Sequence, residues 1–278
     1  MKFFFADIGE LGWSLYLSAH LRWLRTVPKN ILAVMTYPDR KCLYRDAAHM
    51  ILDVPADFYD KFKGEQSCFG IYPSGMKMKL RAYFQNLRPP SYIIPSYFQF
   101  ECKRHHLATR VIYKPYNYSQ TAEPEKRILV LPRFRNHELF KWRNLPLSFY
   151  TELIEALCDN FPDYEIKTLG LNSSSYDIGK IEKGNYLNGI KDKADLQDFI
   201  DECQTATAAV GSQSAPPKIT LLQGVPTFMI GHEKGRHVNS DNWMNTKAGF
   251  YQIDKVGYPN IDKAACITQI IEFIRGCT

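Results

Sequence analysis

The sequence predicts an α/β protein with parallel sheets, and two observations lead to this fold class. Short β-rich runs alternate with helical patterns along most of the chain, as in parallel strands joined by crossover helices. The chain has 278 residues, which favours two domains over one. A polar, proline-containing stretch at 119–126 is the best linker candidate. We therefore expect domains at 1–120 and 121–278, with the last helix either in the second domain or packed back on the first.

In the first half, apolar runs bounded by proline and polar residues define the predicted elements. No element is assigned to the aromatic segment 95–118. The predicted strands are 2–6, 31–36, 51–54 and 92–94, and the predicted helices are 11–26, 47–50 and 72–87.

In the second half, apolar residues at helical spacing after Asn144 and Pro146 predict a helix on whose face Tyr150 lies. The other predicted helices are 195–203, 216–223 and 261–275. The predicted strands are 127–131, 164–169, 207–210 and 225–230.

Composition narrows the class of ligand. The net charge is +6, from 35 Lys and Arg against 29 Asp and Glu, a mild excess that suits anionic ligands such as nucleotide diphosphates. The longest basic run, at 103–106, is short and isolated, so no nucleic-acid partner is expected. The seven cysteines are not spaced as metal ligands and are predicted to be reduced thiols.

The apolar runs also bear on location. No stretch approaches the roughly 20 apolar residues that span a bilayer. The apolar start at 1–6 is too short for a signal peptide. A cytoplasmic protein is therefore expected, and the basic charge leaves open a peripheral contact at the inner membrane face.

The turn at 211–218 lies between a predicted buried strand and a helix, where open α/β sheets bind ligands. Free backbone N–H groups and the helix dipole favour a phosphate there. Gly211 permits a sharp turn, Ser214 suits the N-cap and Lys218 adds a positive charge. The alternative is an ordinary strand-to-helix turn with a capping serine. The segment does not have the Walker pattern.

The run 211–227 resembles the donor-site segment of the heptosyltransferase-like GT-B glycosyltransferases. That family has Gly-Asn-Asp-Thr-Gly-Pro-x-His after a strand, then an apolar helix and Gly-x-Pro-Thr. Gln213 stands in place of the family's aspartate and Lys218 in place of its histidine. The residues in register are Gly211, Ser214, Pro216, Gly224, Pro226 and Thr227.

Three further stretches are similar to the family in order and spacing. Residues 187–191 resemble its Leu-x-Gly-Lys, and 132–135 with Lys141-Trp142 resemble the segment that opens its second domain. Gly9-Glu10 stands where the family has Gly-Asp after the first strand. The resemblance covers about 1–25 and 127–230.

The resemblance implies a GT-B-like fold with two Rossmann-like β/α/β domains facing a cleft. It implies a hexosyl- or heptosyl-type glycosyltransferase that moves a sugar from a nucleotide-sugar to a hydroxyl of a glycan, lipid-linked or other acceptor. No metal or other cofactor is expected. The residues expected at the donor phosphates are Arg133, Arg135, Lys141, Lys191, Gly211, Ser212, Gln213, Ser214 and Lys218.

Transfer also needs an acid side chain that accepts the acceptor's proton. Glu10 is the first candidate, by its place after the first strand, and Asp7 is the second. The alternative for Glu10 is a helix cap. Trp13, His232 and Arg236 are further candidates for contacts with donor or acceptor, although the loop around 231–237 is equally explained as surface.

Two other functions fit the same fold. One is a non-catalytic nucleotide-sugar binding protein: the short first domain fits either a small acceptor or lost activity, and the acid at Glu10 favours an enzyme. The other is a GT-B-fold sugar-nucleotide epimerase, for which more carboxylate and histidine residues around the donor site would be expected.

Overall fold

The computed structural model describes residues 1–8, 11–62, 74–86, 99–101, 123–136, 141–193, 195–232, 246–254 and 257–278. The chain divides into two compact units, Met1–Tyr116 and Asn117–Thr278. None of the helices within these described ranges is long and apolar enough to cross a membrane.

The first unit contains a four-stranded parallel sheet in the order β3-β2-β1-β4. Its central strand β1 is almost fully buried, as its run of three phenylalanines predicts. Phe4, Phe58 and Phe84 pack together in its core. The elements are β1 (Lys2–Asp7), α1 (Leu11–Arg25), β2 (Ile31–Thr36), β3 (Met50–Asp53), α2 (Phe58–Phe62), α3 (Ser74–Gln85) and β4 (Gln99–Glu101).

The second unit contains a six-stranded parallel sheet in the order β10-β9-β8-β5-β6-β7. A 3-10 turn at Lys141–Arg143 precedes its first helix. The elements are β5 (Glu125–Leu131), α4 (Leu147–Asn160), β6 (Glu165–Leu171), β7 (Tyr186–Lys191), α5 (Leu196–Gln204), β8 (Ala206–Ser212), α6 (Ala215–Leu222), β9 (Thr227–Gly231), β10 (Ala248–Gln252) and α7 (Lys263–Arg275).

The helices α4 and α7 pack on each other and on the core of the second unit. Helix α4 buries the face that its apolar spacing predicts. Helix α7 buries Cys266, Ile270 and Ile274, and Lys263 binds Glu152 of α4 at 2.6 Å. These buried side chains belong to the core of the second unit, and the option that the last helix also packs back on the first domain stays a prediction.

Several local predictions were wrong. Residues 47–50 are not a helix, because the chain forms a 3-10 helix at Pro38–Tyr44 and then turns directly into β3. Strand β7 was not predicted, because its Asn188-Gly189 pair is a turn signal. Position 189 in this strand requires a glycine, because a Cβ there would stand 2.3 Å from the Thr168 carbonyl oxygen. The predicted strand at 92–94 lies outside the described residues.

Two positions of the 211–227 segment require glycine for different physical reasons. Gly211 lies inside β8, where a Cβ would come within 2.9 Å of both Leu131 Cβ on β5 and Pro217 Cγ on α6. Its role is thus close packing of strand and helix, whereas the sequence had suggested a sharp turn. Gly224 follows α6 with a φ of 80°, a left-handed conformation that ends the helix and favours glycine.

We expect Gly211→Ala to destabilise the second unit by about 1–3 kcal/mol, because the added methyl group forces apart packed backbone and ring atoms. Gly184→Ala is the matched control, since a Cβ added at Gly184 would meet no atom within 4 Å and its φ is not in the left-handed region. Chemical denaturation of both variants measures the effect. Equal stability of the two variants would contradict this packing role.

Candidate functional site

The register of the second sheet brings three chain segments together at its carboxyl edge. Leu131 pairs with Gly211, and Ser212 pairs with Ile230. The residues that directly follow β5, β8 and β9 therefore lie side by side at this edge, where parallel sheets bind ligands. These residues include Arg133, Gln213 and His232.

Arg133 is a buried cation, with only 6% of its surface exposed. Burial, followed by the positive charges of Arg143 and Arg135, lowers the pKa of Arg133 from 12.5 to about 10, although the phenols of Tyr150 and Tyr258 act in the opposite direction. The surroundings therefore disfavour the charged form of the guanidinium. An anion bound at this position would favour it.

Asn144 holds the segment that follows β5. Its Oδ1 accepts hydrogen bonds from Arg133 Nη1 at 2.7 Å and from the Arg135 N–H at 3.0 Å. Its Nδ2 donates to the Arg135 carbonyl oxygen at 2.8 Å. Asn144, which directly follows the 3-10 turn, therefore fixes the direction of the Arg133 guanidinium.

Gln213 and His232 are joined across β8 and β9. The Gln213 Oε1 accepts a hydrogen bond from the His232 backbone N–H at 3.1 Å, and Gly231 leaves the space for this side chain. The distance from His232 Nδ1 to the hydroxyl of buried Tyr258 is 3.2 Å. The centroids of the His232 and Trp142 rings are 5.1 Å apart. His232 is therefore part of a packed aromatic group at the edge.

Two buried hydroxyls lie beneath the site. Tyr150 and Ser212 are fully buried, and neither hydroxyl has a hydrogen bond of good geometry with a residue in the described part of the chain. Burial raises the pKa of Tyr150, and the nearby Ser212 hydroxyl and the charge of Arg133 oppose this shift. Tyr150 therefore stays a neutral phenol below Arg133.

Helix α6 begins at the same edge. Its N-cap is Ser214, as predicted, but the Ser214 hydroxyl donates to the Ser212 carbonyl oxygen at 2.9 Å and caps no amide of the helix. Lys218, one turn into α6, is only 8% exposed. The helix dipole places partial positive charge at this edge of the sheet.

The structure does not bring every predicted cation to this place. Arg135 and Lys141 are exposed at its margin. Lys191 ends β7, three strands away from β8, and its ammonium binds Glu202 at 2.7 Å. The roles of Arg135, Lys141 and Lys191 stay predictions, and Lys191 is the one that the sheet order separates from the others.

In the first unit, Asp7 ends β1 and is 2% exposed. Its carboxylate accepts hydrogen bonds from Ser14 Oγ at 2.9 Å and Thr36 Oγ1 at 2.8 Å. Burial raises the pKa of Asp7, and the charge of Arg40 and the hydroxyls of Tyr44, Thr36 and Ser14 partly oppose the shift. Asp7 is therefore committed to contacts that join β1, α1 and β2.

The other candidates in or beside these segments are only partly described. Trp13 lies in α1, and its side chain is outside the described part. Glu10 and Arg236 lie outside the described residues altogether. In the ranges that are described, no group of three His, Cys, Asp or Glu side chains is placed to hold a metal ion.

Comparison with solved structures gives the fold. The E. coli heptosyltransferase WaaC, solved with ADP, has a TM-score of 0.60 at 11% identity, over 98% of this chain and 100% of that one. The glycosyl transferase family 9 protein of Veillonella parvula DSM 2008 has a TM-score of 0.62 at 9% identity, over 99% and 97%. The chain has the GT-B fold. E. coli ADP-heptose lps heptosyltransferase II agrees, with a TM-score of 0.59 at 14% identity over 99% of both chains.

The GT-B fold confirms, at the level of fold, the distant resemblance to heptosyltransferase-like proteins that the 211–227 segment predicts. No family model and no curated protein sequence matches the chain. The facing of the two domains across a cleft stays a prediction.

Asn144 and Tyr258 contribute to the site, although neither was predicted from the sequence to do so. Asn144 was interpreted only as the start of a helix, because its side chain reaches back across a loop. Tyr258 carried no signal, since it comes from a segment after β10 that no motif covers.

We expect Asp7→Asn to remove a pH-dependent loss of stability from the first unit. The pKa of Asp7 is higher in the folded state than its ordinary value of 3.8, so its contribution is full below that value and declines as pH rises through the folded pKa. The melting temperature of the wild type should therefore fall relative to Asp7→Asn as pH rises above about 4. Asp163→Asn, at an exposed position, is the control. A difference that is constant with pH would show that Asp7 does not titrate in this way.

Proposed function

We propose that the protein is a glycosyltransferase that moves a sugar from a nucleotide-sugar to a hydroxyl of a glycan, lipid-linked or other acceptor, without a metal or other cofactor. The observation that carries this proposal is the buried guanidinium of Arg133 at the carboxyl edge of a GT-B fold, with Arg143 and Arg135 beside it. WaaC, similar in fold, was solved with ADP and with ADP-2-deoxy-2-fluoro heptose. The donor of this chain would likewise be a nucleoside-diphosphate sugar.

The chemistry supports this use of the charges. When the bond from sugar to phosphate breaks, negative charge grows on the leaving diphosphate. A desolvated guanidinium interacts with that charge more strongly than a cation in water does. Arg133, the N-terminus of α6 and Lys218 would stabilise the leaving group, and the exposed Arg135 and Lys141 would attract the donor.

The second requirement is a base for the acceptor hydroxyl. We assign this role to Glu10, because the two hydroxyl contacts and burial of Asp7 are those of a structural carboxylate. His232 and Gln213 would shape the donor side, where the neutral Gln213 replaces an acidic residue of the resembled family. A ligand screen would identify the nucleobase of the donor and distinguish a hexosyl from a heptosyl group.

The proposal is tested by a thermal-shift screen with ADP-, GDP-, UDP- and CMP-sugars, followed by assays of slow hydrolysis of each ligand that binds. A ligand at about 100 times its Kd stabilises the native state by about 2.7 kcal/mol, which is a measurable rise in Tm. We expect at least one nucleotide-sugar to bind and be hydrolysed. Binding without turnover or exchange would favour the non-catalytic alternative, and altered sugar stereochemistry the epimerase.

Arg133→Met should weaken binding of the nucleoside diphosphate at least about 30-fold, because a buried charge that contacts an anion contributes about 2 kcal/mol or more. Methionine fills much of the volume and brings no charge to desolvate, so the fold should persist. Lys180→Met is the control, since that lysine is on an exposed loop with 81% of its side chain accessible. Titration calorimetry gives the Kd values. Similar affinities in both variants would place the donor elsewhere.

Glu10→Gln should abolish sugar transfer and leave the Kd of the donor within about twofold, because the change removes the base and keeps the side-chain shape. Turnover and donor binding are measured on the same preparation. Near-normal turnover would remove Glu10 from the mechanism.

A further inference from the structure

Asn144 contacts the buried cation of the site through a neutral oxygen. Its Oδ1 receives hydrogen bonds from both Arg133 Nη1 and the Arg135 N–H, and its Nδ2 donates to the Arg135 carbonyl oxygen. These three contacts fix which end of the amide is the oxygen. They also fix the direction of the Arg133 guanidinium.

Two further cations act on this contact. Arg133 is 6% exposed, and Arg143 and Arg135 both act on it as positive charges. An aspartate at position 144 would have nearly the same shape and would offer its oxygen to the same guanidinium. It would also place a negative charge 2.7 Å away from Arg133, where an ionic ligand would then have to compete with it.

We propose that Asn144 is a positioning residue that keeps this site positive: it orients Arg133 without neutralising it, so that the guanidinium attracts an anionic ligand of the diphosphate type. The identification of that anion with the donor's diphosphate rests on the proposed function. The charge state of position 144 then determines affinity for the anion, beyond any effect on folding.

Two substitutions separate orientation from charge. Asn144→Ala removes all three hydrogen bonds and leaves the local charge unchanged. Asn144→Asp retains the acceptor for Arg133, loses the donor to the Arg135 carbonyl oxygen and adds one negative charge. A purely structural role would make alanine the more harmful change, because it removes more contacts. A role in charge makes aspartate the more harmful change for binding.

The probe is inorganic pyrophosphate, titrated by calorimetry into the protein and its variants at one fixed salt concentration. Asn160→Asp is the matched control. Asn160 ends α4, and its Oδ1 also accepts a hydrogen bond from an arginine, Arg275 Nη2 at 2.6 Å, but at an exposed position outside the site. Melting temperatures of all variants are recorded in the same buffer.

We expect Asn144→Ala to weaken pyrophosphate binding about fivefold through loss of orientation and to lower Tm. Asn144→Asp should weaken binding at least about tenfold further, while its Tm lies above that of Asn144→Ala. Asn160→Asp should change the affinity by less than about twofold.

The proposal is overturned if Asn144→Asp binds pyrophosphate as tightly as Asn144→Ala, or if the wild type does not bind it. Failure of the proposed function would give a different set of results. In that case the wild type binds pyrophosphate with the expected order of variants, yet no nucleotide-sugar binds or is turned over.

Discussion

The parallel direction of all six strands in the second sheet is the constraint from which the site follows. Such a sheet places every carboxyl end at one edge, so that the residues after β5, β8 and β9 must meet there. The pairing of Leu131 with Gly211 sets which residues become neighbours, and the missing side chain of Gly211 lets α6 approach the strands. The position of Arg133 beside Gln213 is therefore a property of strand register more than of loop conformation.

The two units bury a charged group in different ways. In the first, the carboxylate of Asp7 receives hydroxyl groups from neighbouring elements, which offset part of its desolvation. In the second, Arg143 and Arg135 act on Arg133 as further positive charges, and one of its partners is a neutral amide oxygen. The first arrangement is that of a group serving the fold. The second disfavours the charged form of the guanidinium, and groups with pKa values perturbed in this way are concentrated at functional sites.

The elements with strong periodicity were predicted from the sequence, and those decided by tertiary contacts were missed. Helix α4 and the buried strand β8 were predicted because their apolar patterns leave little choice of structure. Strand β7 was missed because its Asn-Gly pair signals a turn, although neighbouring backbone requires a glycine there. Within the site, Arg133 was a candidate because residues 132–135 resemble a segment of the GT-B family, whereas Asn144 was not, because its importance comes from three contacts that no spacing reveals. Lys191 lies in a resembling segment, but the strand order places it near Glu202 and apart from Arg133.

The central position of β5 has a consequence for the order in which the protein is made. Its register joins Ile128 to Ala208, about 80 residues later in the chain, and β9 must follow before β8 has both of its neighbours. On the ribosome, β5 can pair early with β6, but its other edge stays unpaired until β8 has emerged. Assembly of the anion site is then a late event in biosynthesis, and truncated chains that end before β8 would present an open, apolar strand edge to chaperones.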